Sequence, residues 1–268
     1  MRHGPWKMLP GWFNYADLYE HAVDISKDGD TLVEIGVAFG RSLSYLAQCA
    51  RESGKKLRIV AIDPFATDLQ VWGAEYSDWA KAVGGPLAAF ELLVKRHDPE
   101  LARDAAIHRN KGELYSFESA SVHVVVDRAE DIAPIVADQS CSFVFIDGDH
   151  RYDAVKRDCE LWEPKVRDGG ILAGHDFTPG DACGIDVVRY VSKAYPKAEI
   201  WTTSWVHRIV AAKAREELYA RLKQAHQDLK NGMKVVDPKH EEQISKLTEE
   251  RDQWKHKYET AKPDPVTR

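Results

Sequence analysis

No stretch of this 268-residue chain approaches the roughly 20 consecutive apolar residues that span a bilayer. The opening MRHGPWKMLP also lacks the apolar centre of a secretory signal, so a cytoplasmic protein without membrane contact is expected. Positive charge is not in excess: 37 Lys and Arg against 43 Asp and Glu leave a formal net charge of −6. Such a balance gives no long-range attraction to nucleic-acid phosphates or anionic lipid, which disfavours nucleic acid as the main substrate. Cysteine is scarce, with four residues and no CxxC pair. Cys49, Cys141, Cys159 and Cys183 stand mostly in apolar patterns and read as packed thiols, not as a metal or redox pair.

What is present, 44% hydrophobic and 30% charged residues, suffices for one buried core with material left over. After a lead-in (1–30) rich in aromatic residues, among them Trp6, Trp12, Phe13 and Tyr15, short β-branched runs alternate with helical patterns. The candidate strands are Thr31–Ile35, Leu57–Ile62, Val122–Val126, Ser142–Asp147, Gly170–Gly174, Ala198–Thr202 and Val206–Ala211. Leu43, Leu46, Ala47 and Ala50 form an apolar stripe at helical spacing, and Val155, Cys159 and Trp162 repeat it later. Continuous apolar strands followed by amphipathic helices predict an α/β fold: a doubly wound, mostly parallel, Rossmann-like sheet covered on both faces, spanning 31–213.

Two segments stand apart. The stretch from Asp63 to Ser121 is long for one crossover, and its part 66–100 carries Trp72, Tyr76, Trp79, Phe90, Leu92 and Leu93, which predicts extra helix. Insertions at the carboxyl end of a strand border the ligand crevice in such sheets, so this one is a candidate lid or substrate wall, or else plain helix packed on the sheet. Residues 214–268 change to Glu, Lys, Gln, Leu and Arg, with Leu218, Leu222, Leu229 and Met233 in one short heptad run and Ile244, Leu247, Trp254 and Tyr258 in another. This extension predicts a coiled coil that joins copies of the chain into a homo-oligomer, a helical hairpin, or a solvated tail.

The chemistry concentrates at strand ends. The first strand runs into Glu34-Ile35-Gly36-Val37-Ala38-Phe39-Gly40-Arg41-Ser42, a glycine turn before a helix N-terminus where backbone N–H groups can receive a ligand. The spacing is ExGxxxG, not the GxGxxG of a dinucleotide site, and the carboxylate suits a cationic ligand such as the sulfonium and ammonium of S-adenosylmethionine. Asp63 ends the second strand, where an acid can accept both hydroxyls of a ribose; capping a turn is its plainer role. Val126-Asp127-Arg128-Ala129-Glu130 ends another strand and would lie on the adenine side, unless Arg128 merely decorates a surface turn.

Two further strands end in FVFIDGDHRY and GGILAGHDF. If parallel, they bring Asp147, Asp149, His150, His175 and Asp176 to one crevice. Converging carboxylates raise each other's pKa unless a cation relieves them, and a divalent ion such as Mg²⁺ or Mn²⁺ would do so while holding a substrate hydroxyl. Asp149 and His150 could instead cap the helix that follows.

These residues together resemble the class I S-adenosylmethionine-dependent methyltransferases, and within them the branch of macrolide and aminocoumarin sugar O-methyltransferases, with catechol O-methyltransferase more distant. The resemblance runs from Gly11 to Ala212, and IDGDHRYDAVKRDCELWEPKVRDGGILAGHDF carries most of it. It implies a seven-stranded sheet ending in an antiparallel hairpin. It also implies that Glu34, Gly36, Gly40 and Ser42 hold the methionine end of S-adenosyl-L-methionine, Asp63 the ribose, and Asp127, Arg128 and Ala129 the adenine side. Asp147, His175 and Asp176 would be metal ligands, with Asp147 also orienting the acceptor, and His150 or His175 the general base. The chain departs from the metal-dependent members at His175, where they carry an acid. The function implied is methyl transfer to a small-molecule hydroxyl, of a sugar or sugar-containing metabolite. A phenol or catechol acceptor, an NAD enzyme and an inactive scaffold using its C-terminal helices are the competing readings.

Overall fold

The run Cys141–Ile146 places one side chain after another in the interior, because it forms the central strand of a sheet packed on both faces. In the computed structural model, which describes residues 3–66, 74–109, 121–210 and positions 223, 224, 245, 246 and 249, eight strands are seen. They are β1 (Thr31–Ile35), β2 (Arg58–Ile62), β3 (Ala105–His108), β4 (Val122–Val125), β5 (Cys141–Ile146), β6 (Val166–Gly174), β7 (Glu199–Trp201) and β8 (Ser204–Arg208). Their order is β3-β4-β2-β1-β5-β6-β8-β7. Pairing is parallel from β3 to β6, and the β7–β8 hairpin joins β6 in antiparallel sense.

Alternation along each strand divides the core in two. Leu32, Ala61, Phe143 and Phe145 face one layer, and Val33, Ile35, Val144 and Ile146 face the other. The first layer is closed by α1 (Ala16–Ile25) and by α2 (Arg41–Ser53), whose Leu43, Leu46, Ala47 and Ala50 are buried as their spacing predicted. On the opposite face lie α6 (Ala129–Ile132), α7 (Tyr152–Trp162) and α8 (Ile185–Ala194), and Val155, Cys159 and Trp162 enter that layer. Trp162 is wholly enclosed, so its truncation to Ala should cost about 3–5 kcal/mol. Cys49, Cys141 and Cys159 are buried free thiols, and Cys183 is an exposed one.

The seven strands expected from the sequence are all there, and β3 is added at one edge. It is reached through the insertion, which forms α3 (Ala74–Ala82), α4 (Pro86–His97) and α5 (Pro99–Asp104). Pro86 and Pro99 start the last two helices where a missing N–H costs nothing. Asp98, fully buried, caps α5 through Leu101 N at 2.9 Å and accepts from Ser44 Oγ of α2 at 2.5 Å, fastening the insertion to the first layer. The lead-in holds α1 and a 3₁₀ turn at Pro5–Met8.

The chain divides into two units, 1–209 and 210–268. The coiled-coil or hairpin expected over 214–268 lies outside the described residues, apart from five isolated helical positions. No helix among the described residues is long and apolar enough to cross a membrane. In the first unit the chain leaves β1 toward β2 and returns on the other side at β5, so the carboxyl ends of β1 and β5 flank the switch point where open α/β sheets bind ligands.

Candidate active site

At that switch point the glycine turn touches the end of β5. Gly36 has φ +90°, and a Cβ built on it would lie 2.0 Å from the backbone oxygen of Asp147, so no other residue fits. Gly40, with φ +83°, precedes α2 and lies against Phe90 of α4, whose ring a Cβ would approach to 2.7 Å. Asp63 fixes the turn. Its Oδ2 accepts from Val37 N at 2.8 Å and Ala38 N at 2.9 Å, and its Oδ1 from Phe65 N at 2.6 Å. Burial pushes its pKa up against these three hydrogen bonds. A carboxylate offers about four acceptor positions, so one remains for a further donor.

Glu34 is fully buried beneath the turn. Its Oε1 accepts from Ser42 Oγ of α2, and its Oε2 has no hydrogen-bond partner among the described residues. Burial, only partly offset by Ser42 and reinforced by the charge of Asp147, raises its pKa to about 8. Asp127 accepts from Arg128 N at 2.9 Å, the Arg128 side chain is exposed and pairs with Glu130 at 3.5 Å, and Ala129 opens α6. On this edge the Arg128 charge is directed to Glu130.

Four of the five acids and imidazoles at the ends of β5 and β6 converge. Asp147, His175 and Asp176 each offer a ligand atom within 4.8 Å of the others. His175 Nδ1 stands 3.6 Å from Asp147 Oδ1 and 3.3 Å from Asp176 Oδ1. His150 Nε2 lies 3.0 Å from Asp176 Oδ2 and 3.7 Å from Asp147 Oδ1. Burial opposes charge on Asp147, His150 and His175. Hydrogen bonds from His150 and His175 nonetheless hold Asp147 down to about 2, and the two acids hold His175 up to about 10 and raise His150 as well. Asp176 adopts φ +55°, an uncommon backbone state for a non-glycine residue and one that clusters at functional sites.

Asp149 does not join them. It is exposed, pairs with Arg151 through both oxygens, and accepts from Arg151 N at 3.0 Å, so it organises the entrance to α7. The sequence left it a cap of the following helix, but Arg151 takes the N-cap position of α7 without a side-chain bond, and Asp149 closes the turn before it.

Three groups in the cluster carry no signal in the sequence. Tyr15 Oη donates to Asp147 Oδ2 at 3.2 Å, and its ring lies 4.8 Å from that of His175. Asn14 and Thr203 both reach His175 Nε2, at 3.1 and 2.9 Å. Each is far from its partner along the chain, and a lone polar residue in a lead-in or hairpin turn is not distinctive.

The insertion covers the glycine turn. Phe39 packs with Ala80 and Ala89, with its ring 5.8 Å from Tyr76 and 6.4 Å from Trp79, while Phe65 meets Phe90 at 5.3 Å. The described part of 66–100 is therefore helix packed on the glycine turn and on Phe65. Residues 67–73, with Trp72, lie outside the described residues.

A family model described as a methyltransferase domain matches residues 33–177, from the first strand through the second acid–imidazole pair. Among solved structures, the chain is similar to the O-methyltransferase NovP at 18% identity and TM-score 0.47, over 73% of this chain and 79% of that one. It is similar to CalS11, a TDP-rhamnose 3'-O-methyltransferase of calicheamicin biosynthesis, at 16% identity and TM-score 0.46, over 72% and 76%. Cofactor-bound Rv0187 from MTB is 18% identical with TM-score 0.45, over 75% and 83%. No curated protein sequence matches the chain.

Proposed function

Since this chain belongs to the methyltransferase-domain family, of the class I S-adenosylmethionine-dependent type, we propose that it methylates a small-molecule hydroxyl, in first place that of a sugar or sugar-containing metabolite. One observation carries this reading: the glycine turn and the cluster of Asp147, His150, His175 and Asp176 abut at the Gly36–Asp147 contact, so donor and acceptor supports are neighbours. The sugar acceptor rests on the resemblance of the Ile146–Tyr152 and His175–Asp176 strings to sugar O-methyltransferases.

The residues present fit S-adenosylmethionine. The unpartnered, buried Glu34 Oε2 is an acceptor for a cationic group, Gly36 and Gly40 let the turn pack directly on Asp147 and Phe90, and Asp63 keeps one acceptor position for a ribose. When bound, the cofactor supplies an electrophilic methyl group on a sulfonium. The donor set of two carboxylates and one imidazole also fits a divalent ion of the Mn²⁺ or Mg²⁺ type, held by Asp147, His175 and Asp176, which would polarise an acceptor oxygen.

The side chains divide the remaining work. His150 is the base: its side chain is 27% exposed against 10% for His175, its Nε2–H faces Asp176 and Asp147, which stabilise the imidazolium that forms, and its Nδ1 is the nitrogen left to take the hydroxyl proton. Tyr15 keeps Asp147 oriented. The wall formed by α3 and α4 excludes water and helps align the acceptor oxygen with the methyl group.

Calorimetry with S-adenosylmethionine, S-adenosylhomocysteine and NAD, with and without Mn²⁺, tests the donor half. Saturable binding of both sulfur ligands and none of NAD is expected, after which an acceptor screen of sugars against phenols decides the other half. Absence of binding by either sulfur ligand refutes the catalytic reading.

A further inference from the structure

Imidazole differs from a carboxylate in having two nitrogens on opposite sides of its ring, and the partner of one decides the protonation of the other. At His175 both sides are engaged. Nδ1 faces Asp147 and Asp176, while Nε2 meets Asn14 Oδ1 at 3.1 Å and Thr203 Oγ1 at 2.9 Å. The Asn14 amide also meets the Thr203 hydroxyl, with Nδ2 at 3.0 Å and Oδ1 at 3.1 Å from Oγ1, and it turns that same Oδ1 toward the ring. An amide oxygen only accepts, so Nε2 is the donor.

Each holder is itself placed. Thr203 lies in the β7–β8 turn, where Thr202 has φ +59° and the Thr203 carbonyl accepts from Phe177 N at 2.8 Å, two residues beyond the histidine. Asn14 precedes Tyr15, which is anchored on Asp147, and the lead-in is tied to α2 where Arg41 donates to Gly11 O at 2.6 Å. Two segments distant in sequence thus close on one ring nitrogen.

We propose that Asn14 and Thr203 are positioning residues that hold the Nε2–H of His175, so that Nδ1 is the nitrogen presented to Asp147 and Asp176. The inference deepens the function proposed above and rests on it for its catalytic consequence only. A ligating histidine usually donates its far N–H to such a partner, and loss of that partner costs typically about 10–100-fold in metal affinity or activity. The same logic makes the pair specific to a histidine: an acid at 175 would have no second nitrogen to hold.

The test is two-bond ¹H–¹⁵N spectroscopy of imidazole-labelled protein, without metal or cofactor. For His175 a hydrogen-bonded Nε2–H that exchanges slowly with solvent is expected, with this protection lost in the Asn14→Leu/Thr203→Val double variant and kept in Thr203→Ser. A bare Nε2 in the wild type, as the reversed Asn14 amide would give, overturns the proposal, and so does an Nε2–H unchanged in the double variant. In parallel, Mn²⁺ affinity should fall about 10–100-fold in Asn14→Leu but be unaffected by that change in a His175→Asp background. An equal loss in both backgrounds marks Asn14 as merely structural and overturns the proposal. Since the spectra need no methyl transfer, failure of the function proposed above would show separately, as absent cofactor binding.

Discussion

Replacing Glu34 by Gln tests the electrostatics beneath the glycine turn. Burial raises this carboxyl from its usual 4.5 to about 8. The folded chain therefore binds the proton more tightly than the unfolded chain, and the stability this confers is complete below 4.5 and lost as pH rises through 8. At about 1.4 kcal/mol per pKa unit, about 3 kcal/mol is gone by pH 7 and roughly 5 kcal/mol by pH 9, as upper bounds. Glu34→Gln keeps the size of the side chain and an acceptor for Ser42 but removes the titration. Urea unfolding between about pH 5.5 and pH 8.5 should show the wild type losing about 3 kcal/mol relative to the variant. A bound ammonium group would pair with the ionised carboxylate, so cofactor binding near neutral pH should release up to about one proton, seen by calorimetry in buffers of different ionisation enthalpy. Parallel unfolding curves for the two proteins, together with buffer-independent binding heats, would refute the reasoning.

Other substitutions separate the roles around the crevice. Gly36→Ala should destabilise by about 2 kcal/mol or more and abolish cofactor binding, because its methyl group meets backbone at a positive φ; thermal melts and calorimetry read both effects. Asp63→Ala strips the acceptor from three backbone N–H groups and should cost about 2–4 kcal/mol in urea, with Asp63→Asn losing less since one oxygen remains. Asp149→Ala, which removes an exposed pair with Arg151, should cost less than about 1 kcal/mol and leave Mn²⁺ affinity unchanged; a large loss of affinity would place Asp149 in the cluster after all.

Apolar continuity made the central strands legible, as Cys141–Ile146 shows, and helical spacing did the same for the stripes of α2 and α7. Asp147, His150, His175 and Asp176 were legible because each follows a strand end, which topology alone sends to one side. Ala105–His108 was not: four residues with one β-branched member have little strand preference, and it is pairing with β4, Ala105 to Val122 through His108 to Val125, that makes them a strand. Asn14, Tyr15 and Thr203 stayed hidden for another reason, since their roles arise from contacts 161, 132 and 28 residues away and leave no local pattern. Asp149 was grouped with its neighbours by proximity in sequence, yet Arg151 draws it off.

The absent side chain at Gly36 has a mechanical consequence. With the backbone of the glycine turn lying on the main chain of Asp147, the two strand ends form a single stiff block, clamped further by Asp63. Moving either half therefore means breaking this backbone contact, which ties the position of Asp147 to that of the glycine turn. The helical flank meets Phe39 and Gly40 through aromatic side chains, so truncation of Phe90 or Trp79 should loosen that flank and leave the Gly36–Asp147 contact in place.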